Sequence, residues 1–331
     1  MDALLAAGAP WPAAVAVSGG GDSLALMHLL ARWAARTGRA APIVLTVDHG
    51  LRDGSAADAR KVLRWAKAAQ LKAQALTWTG PRPSADIEAE AREVRYRLMG
   101  AAMRKHGIAA LCVAHSEDDQ AETFLLRLMR GSGLDGLSAM RPLAPFPLPG
   151  FREHGILRPL LAIPRAELRP FLEALGQPWL EDSMNAEDRF ARVRLRKLLP
   201  ALAEAGVTPA RIAAAATHLS RAREALEIVT AAVLARATHP VEGGFHIDSR
   251  ALTAAPREIG LRALSQLLMQ VSGQAYRPRF ERLERLYDRL ATGGLGGGAT
   301  LHGCRLSAVP ARRGIFGAGT FLLTPEKGRH A

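Results

Sequence analysis

The sequence predicts an α/β protein: a parallel five-stranded sheet covered by helices on both faces, followed by a smaller helical or α+β region. Three observations predict it. Short apolar, β-favouring runs alternate with helix-length segments through the first 200 residues, and uninterrupted apolar strands mark a sheet buried on both sides. A glycine-rich turn, Ser18-Gly19-Gly20-Gly21-Asp22-Ser23, joins the first such run to the first long helical pattern. After Pro200 the alternation stops, and Ala-rich helix gives way to short mixed elements.

The first strand is expected over 13–17, with helical pattern from Leu24 onward. A second buried strand over 43–47 ends at Asp48-His49-Gly50, and an amphipathic helix follows over 56–70 with Val62, Leu63, Trp65 and Ala66 inward. A third strand is expected over 73–78, a long helix over 86–105, a fourth strand over 108–114 and a helix over 117–130. The fifth extended stretch, 155–160, precedes a helix over 165–175. Ligands of such sheets sit beyond the strands' carboxyl ends, so the glycine turn, Asp48-His49 and His115-Ser116 are expected around one crevice. Domain boundaries are set at 1–205 and 206–331. In the second region Thr208-Pro209 opens a helix as N-cap and first residue, running to about 237, with further helices over 256–271 and 278–290. The run 293–298 reads as a flexible turn because no strand precedes it, and 303–309 and 314–323 read as extended.

The 331-residue chain has a formal net charge of +13 and 48% hydrophobic residues. That charge suggests a polyanionic partner such as nucleic acid, although Arg abundance in an Ala- and Gly-rich chain also follows from coding bias. Residues 276–331 hold ten Arg and Lys against four Asp and Glu. The two cysteines, Cys112 and Cys304, exclude a disulfide framework and any Cys-x-x-Cys metal or redox motif. No apolar run is long enough to span a bilayer, which makes a cytoplasmic protein the expectation.

The glycine turn is the sharpest chemical signal. A turn between strand and helix N-terminus gathers free N–H groups at the positive end of the helix dipole. Its glycines let a polyphosphate approach closely. Ser18 and Ser23 add hydroxyls, and Asp22 suits Mg²⁺ or a helix cap. The spacing is neither that of a Walker A loop nor that of a dinucleotide fingerprint. In 115–123, Asp118, Asp119 and Glu122 share a helix face. They suit a cation, either Mg²⁺ or a substrate ammonium, but acids at a helix N-terminus are also favoured by the dipole alone. Arg92 and Arg95 lie in a helix that is either a solvated face with a Glu88–Arg92 pair or a phosphate contact. Arg192-Val193-Arg194-Leu195-Arg196-Lys197 is either a plain basic helix or a phosphate-binding one.

Taken in order, these segments resemble a known family. Ser18–Ser23 is similar to the loop of the N-type ATP pyrophosphatases, the PP-loop. Val47–Arg52, Ile87–Tyr96, His115–Thr123, Arg127–Met140, Arg158–Leu161, Glu181–Asn185 and Arg192–Pro200 together resemble tRNA(Ile)-lysidine synthetase, over roughly residues 13 to 200. The chain departs from the family pattern where Asp182-Ser183-Met184-Asn185 replaces Asp-x-Ser-Asn, and where Val193 replaces the Asn after Arg192. The resemblance implies a Rossmann-like, adenine nucleotide alpha hydrolase-like sheet and a chain lacking the further C-terminal domain of longer members. It implies a ligase joining L-lysine to C2 of the wobble cytidine of isoleucine tRNA with a CAU anticodon, through an adenylated intermediate. ATP is the co-substrate and Mg²⁺ the metal. By the same resemblance Ser18, Gly19, Gly20, Gly21, Asp22 and Ser23 hold ATP, and Asp22 and Asp119 hold Mg²⁺. Asp119 and Glu122 serve lysine or the metal, Arg92, Arg95 and Arg192 the phosphates, and Arg194, Arg196 and Lys197 the tRNA. Whether the protein is a homodimer is left open. The rival readings are a PP-loop tRNA thiolase, which relies on cysteines, and a non-enzymatic nucleotide-binding protein.

Overall fold

The computed structural model describes residues 1–50, 54–80, 87–181, 191–274 and 276–326. The chain divides into two compact units, Met1–Ser220 and Arg221–Ala331. The change of pattern near 205 falls just ahead of the long helix that carries this division.

The first unit opens with α1 (Asp2–Ala6), β1 (Ala13–Ala16), α2 (Gly21–Thr37), β2 (Ile43–Asp48), α3 (Ser55–Ala68) and β3 (Ala73–Thr77). It continues with α4 (Ile87–Lys105), β4 (Ala110–Cys112), α5 (Glu117–Leu128), α6 (Leu134–Leu137), β5 (Leu143–Pro145) and β6 (Gly155–Leu157). Then come α7 (Arg165–Glu173), α8 (Ala191–Glu204) and α9 (Pro209–Ala237), which runs on into the second unit. The sheet order is β3-β2-β1-β4-β6-β5. The first five of these pair in parallel, as expected, while β5 adds a sixth strand antiparallel to β6.

Alternation along the strands explains the two buried faces. Ala13, Val15 and Val17 pack with Leu24, Met27, Leu30, Val62 and Leu172 on one side of the sheet. Ala14 packs with Leu45, Tyr96, Met99, Met103 and Leu111 on the other, as the two-residue period of a strand requires. Leu24, Leu26 and Met27 are fully buried, each contributing roughly 1.5–3 kcal/mol by burial. The topology fixes the site. From β1 the chain steps outward to β2 and β3, then α4 returns it to β4 on β1's other flank. The switch point therefore lies between β1 and β4, where ligands of open α/β sheets bind.

The second unit contains β7 (Thr238–Val241), β8 (Gly244–Asp248), α10 (Ser249–Thr253), α11 (Arg257–Ser272) and α12 (Phe280–Ala291). It closes with β9 (Ala299–Leu301), β10 (Cys304–Ala308) and β11 (Thr320–Pro325), forming a sheet of order β7-β8-β11-β10-β9. Its strands pair antiparallel throughout. The β9–β10 turn, His302-Gly303, has φ of +56° and +70°, the pair of positive angles that a two-residue hairpin needs. Ile247, Leu264, Leu268, Leu286, Leu306 and Leu323 form a core between sheet and helices. The run 293–298 is a turn with Leu295 buried, and Arg289 donates to the carbonyls of Gly294, Leu295 and Gly298.

Candidate active site

Two helix N-termini meet the switch point, and the chain treats them differently. At α5, Ser116 and Asp119 form a reciprocal capping box. Asp119 Oδ2 accepts from the Ser116 N–H at 2.8 Å and the Ser116 hydroxyl at 3.0 Å. That terminus is closed. Helix α2 has Gly20 as its N-cap and no side-chain cap among the described residues, so its first-turn N–H groups are offered to an anion. Ser23 Oγ donates to Gly20 O at 2.8 Å and accepts from the Ser18 N–H at 3.2 Å, which folds the loop back on the helix. Gly19 has φ of +95°, and a Cβ there would lie 2.5 Å from Leu180 Cδ1. The Leu180 N–H also donates to Gly19 O at 2.9 Å.

Between the loop and the acidic helix stands Arg165, the first residue of α7. Its Nε donates to Asp22 Oδ2 at 3.0 Å and its Nη2 to Asp119 Oδ1 at 2.9 Å, while Nη1 lies 3.6 Å from Glu122 Oε1. The Arg165 N–H donates to Asp118 Oδ2 at 2.7 Å, so Asp118 anchors the start of α7. Glu122, whose side chain is only 1% exposed, receives a two-pronged bond from Arg196 at 2.6 and 3.2 Å. Burial opposes the charge on Arg165, yet the surrounding carboxylates hold its pKa above the ordinary value. Burial also opposes ionisation of Asp119, but Arg165 and the Ser116 bonds outweigh it and keep that carboxyl below the usual range. For Asp22 burial prevails over the pull of Arg165, and its carboxyl is raised.

A cavity of about 360 Å³ opens beside this cluster, lined by Asp118, Glu122, Arg165, Arg196, Leu199 and Pro200 among others. Acids, guanidinium groups and an apolar wall suit a zwitterion with an alkyl stem. A larger cavity of about 860 Å³ lies in the second unit, where the ionisable groups on its lining are Arg305 and Glu326.

Arg92 and Arg95 lie on α4. Arg92 is exposed and stacks over Tyr96, 5.2 Å from the ring centroid. Arg95 acts on His49, whose pKa burial first and Arg95 second lower to about 4. Arg158 donates to His115 Nδ1 at 3.2 Å and to Arg141 O at 2.8 Å. Burial lowers its pKa, and although the Tyr96 interaction raises it, Arg92 and Arg127 lower it further. Arg194 and Lys197 are exposed on α8, whereas Arg196 points to Glu122. The side chains of Arg192 and Glu88, and residues Leu51-Arg52 and Asp182–Asn185, lie outside what the structure describes.

Sequence reasoning missed Arg165 as a site residue. Only its place after Pro164 at a helix start was visible, and nothing in the local pattern set it apart from many other arginines. Arg158 was visible within a motif but without a role.

Two carboxylates at the switch point, Asp22 and Asp119, have the hard oxygen donors that Mg²⁺ takes. Asp119 Oδ2 is engaged by Ser116 and Oδ1 by Arg165, so Asp119 is the less available of the two carboxylates while Arg165 stays in place. Asp22 is more open, with 29% side-chain exposure, and its bond from Arg165 uses Oδ2. A hard oxygen donor beside an anion seat fits one carboxylate contact to a Mg²⁺ shared with phosphates. Among the described residues no group of three or more His, Cys, Asp or Glu gathers for a metal.

An open, glycine-lined helix N-terminus at the switch point of a parallel sheet is an anion seat of the kind nucleotide-binding α/β folds use, and the PP-loop domain family model, matching residues 6–202, makes this an α/β protein of the PP-loop class. The fold comparison agrees: the U34-tRNA thiolase NcsA of Methanococcus maripaludis superposes with a TM-score of 0.52 at 16% identity, covering 64% of this chain and 71% of that one. At that identity the likeness concerns the fold alone. The sequence relatives are more particular. A tRNA(Ile)-lysidine synthase of Methylobacterium nodulans is 42% identical over 100% of this chain and 95% of its own length. One from a Bradyrhizobium species is 39% identical over 87% of this chain and 83% of its own. The chain belongs to the tRNA(Ile)-lysidine synthase family, ATP-using ligases built on a PP-loop domain. Among the described residues no helix is long and apolar enough to cross a membrane.

Proposed function

We propose that this protein ligates L-lysine to C2 of the wobble cytidine in isoleucine tRNA bearing a CAU anticodon, consuming ATP to AMP and diphosphate. The observation that carries the reading is the meeting of two seats at Arg165: an uncapped anion seat at α2 and a mixed-charge cavity beside α5. In the first step the cytidine O2 attacks the α-phosphorus and diphosphate leaves. Ser18–Ser23 hold that leaving group by N–H and hydroxyl donors, and Asp22 is the residue that would hold a Mg²⁺, which would supply charge neutralisation there. In the second step the lysine ε-ammonium first gives up a proton to solvent, the neutral amine attacks C2, the C2–O bond breaks to release AMP, and the nitrogen passes its second proton to solvent.

Glu122 and Asp119 orient the lysine ammonium before attack. Arg196 supports Glu122 and faces the amino acid's carboxylate, and Leu199 and Pro200 flank its stem. Positioning of two bound reactants supplies most of the acceleration. Arg92, Arg95 and Arg158 form a basic flank for phosphates of the flipped-out nucleotide. Arg192 serves the phosphates, and Arg194, Lys197 and the basic residues of 206–331 serve the tRNA.

The thiolase alternative finds little support in the thiols. Cys112 and Cys304 are both buried, and burial pushes their pKa up to about 12 and about 11, opposite to an activated thiolate. The test is incorporation of labelled lysine into CAU-anticodon tRNA with ATP, for wild type, Asp22→Ala and Asp119→Ala. Incorporation by wild type and its loss in both folded variants is expected. No incorporation by wild type that still binds ATP would favour a non-enzymatic nucleotide-binding protein.

A further inference from the structure

Arg165 has one guanidinium and three carboxylate neighbours from two different elements. Asp22 belongs to the first turn of α2, at the anion seat. Asp119 and Glu122 belong to α5, and Glu122 and Arg165 itself line the cavity. A polyphosphate docking at α2 brings more negative charge to the Nε edge of Arg165 than Asp22 does, in a planar fork geometry that suits phosphate oxygens. If the guanidinium swings toward it, Asp119 loses the partner at 2.9 Å and Glu122 the one at 3.6 Å. While Glu122 keeps its two bonds from Arg196, Asp119 is 7% exposed, and a carboxylate so buried strongly favours a replacement cation. An ammonium entering the cavity supplies it.

We propose that Arg165 is a positioning residue that makes the amine seat conditional on nucleotide: it occupies the lysine-side carboxylates until a triphosphate at the PP loop draws it away. This rests on the ligase reading above and adds an order of binding to it. The linkage is reciprocal, so lysine tightens nucleotide binding by the same factor that nucleotide tightens lysine binding.

The experiment is calorimetric titration of the full chain with L-lysine, with and without a non-hydrolysable ATP analogue and Mg²⁺. For wild type the analogue is expected to tighten lysine binding by roughly 5- to 150-fold, the usual span of such couplings. Arg165→Gln is expected to bind lysine without the analogue about as tightly as wild type does with it, so the coupling factor falls to about one. Arg165→Lys, which keeps a cation but cannot span both carboxylates, should lose the coupling too, and it decides the matter if the Gln variant does not fold. Coupling retained in either folded variant overturns the proposal, as does lysine binding by wild type that is indifferent to nucleotide. Absence of lysine binding from wild type under both conditions is a different failure: it overturns the ligase reading itself.

Discussion

Replacing Gly19 by alanine perturbs the loop in two measurable ways. Its φ of +95° is a backbone conformation that L side chains rarely adopt, and the new methyl would sit 2.5 Å from Leu180 Cδ1 and 3.3 Å from Val62 Cγ2. Backbone strain of this kind costs about 1–3 kcal/mol, and forcing a methyl into a packed contact costs about 1–3 kcal/mol more. Leu180 has a flexible end that can yield, so roughly 2–4 kcal/mol is expected in total. At about 2–4 °C per kcal/mol for a unit of this size, the melting temperature should fall by roughly 4–16 °C. Gly20→Ala is the internal control. Its φ is −71° and an added Cβ meets only Ser18 Oγ, at 3.6 Å. That variant should melt within about 2 °C of wild type, since surface-like changes stay near ±0.5 kcal/mol. Scanning calorimetry and ATP titration of both variants decide the point. Equal stability and equal ATP affinity for Gly19→Ala and Gly20→Ala would refute the claim that the Leu180–Val62 contact shapes the anion seat.

Three further outcomes are expected. Arg196→Ala removes the two-pronged partner of a buried carboxylate. The lysine KM should rise about tenfold or more, equivalent to roughly 1.4 kcal/mol, with little change in tRNA affinity; steady-state kinetics and a tRNA filter-binding assay read the two, and the opposite split would place Arg196 on the tRNA. His49 has a folded pKa near 4 against an ordinary value of 6.5. The unfolded chain thus binds more protons between those values, and stability should fall as pH drops from about 6.5 to about 4. The ring is partly exposed, so the loss is limited to about 1–2 kcal/mol, and urea melts of His49→Gln should lack that share of the decline. A Cys112→Ala, Cys304→Ala double variant should keep lysine incorporation within about threefold of wild type, because both thiols are buried packing groups; loss of activity in a folded double variant would revive a thiol mechanism.

The parallel sheet was legible because each of its strands is a short apolar run set between helices, and that pattern depends on local sequence alone. Three pieces were not legible. The β5 strand, Leu143–Pro145, has no periodic signal and exists only because β6 offers it an edge. The β7–β8 hairpin carries Pro240 and two histidines, poor strand signals, and its pairing supplies the order. In the acidic helix, spacing placed Asp118, Asp119 and Glu122 near one another, but it did not separate their work. Asp118 anchors α7, Asp119 caps its own helix while pairing with Arg165, and Glu122 is gripped by Arg196.

The sequence by itself determined the anion seat, since a glycine turn between strand and helix exposes the same N–H groups wherever it is built. It also determined the alternation of the five parallel strands with their helices, and motif order was enough to indicate the family. Only the tertiary structure decided what balances the charge. Arg165 lies 143 residues from Asp22 and 46 from Asp119, and Arg196 lies 74 from Glu122. No local period links residues so far apart. Which of many arginines neutralises a buried carboxylate is settled when the sheet's switch point brings distant helix ends within hydrogen-bond reach.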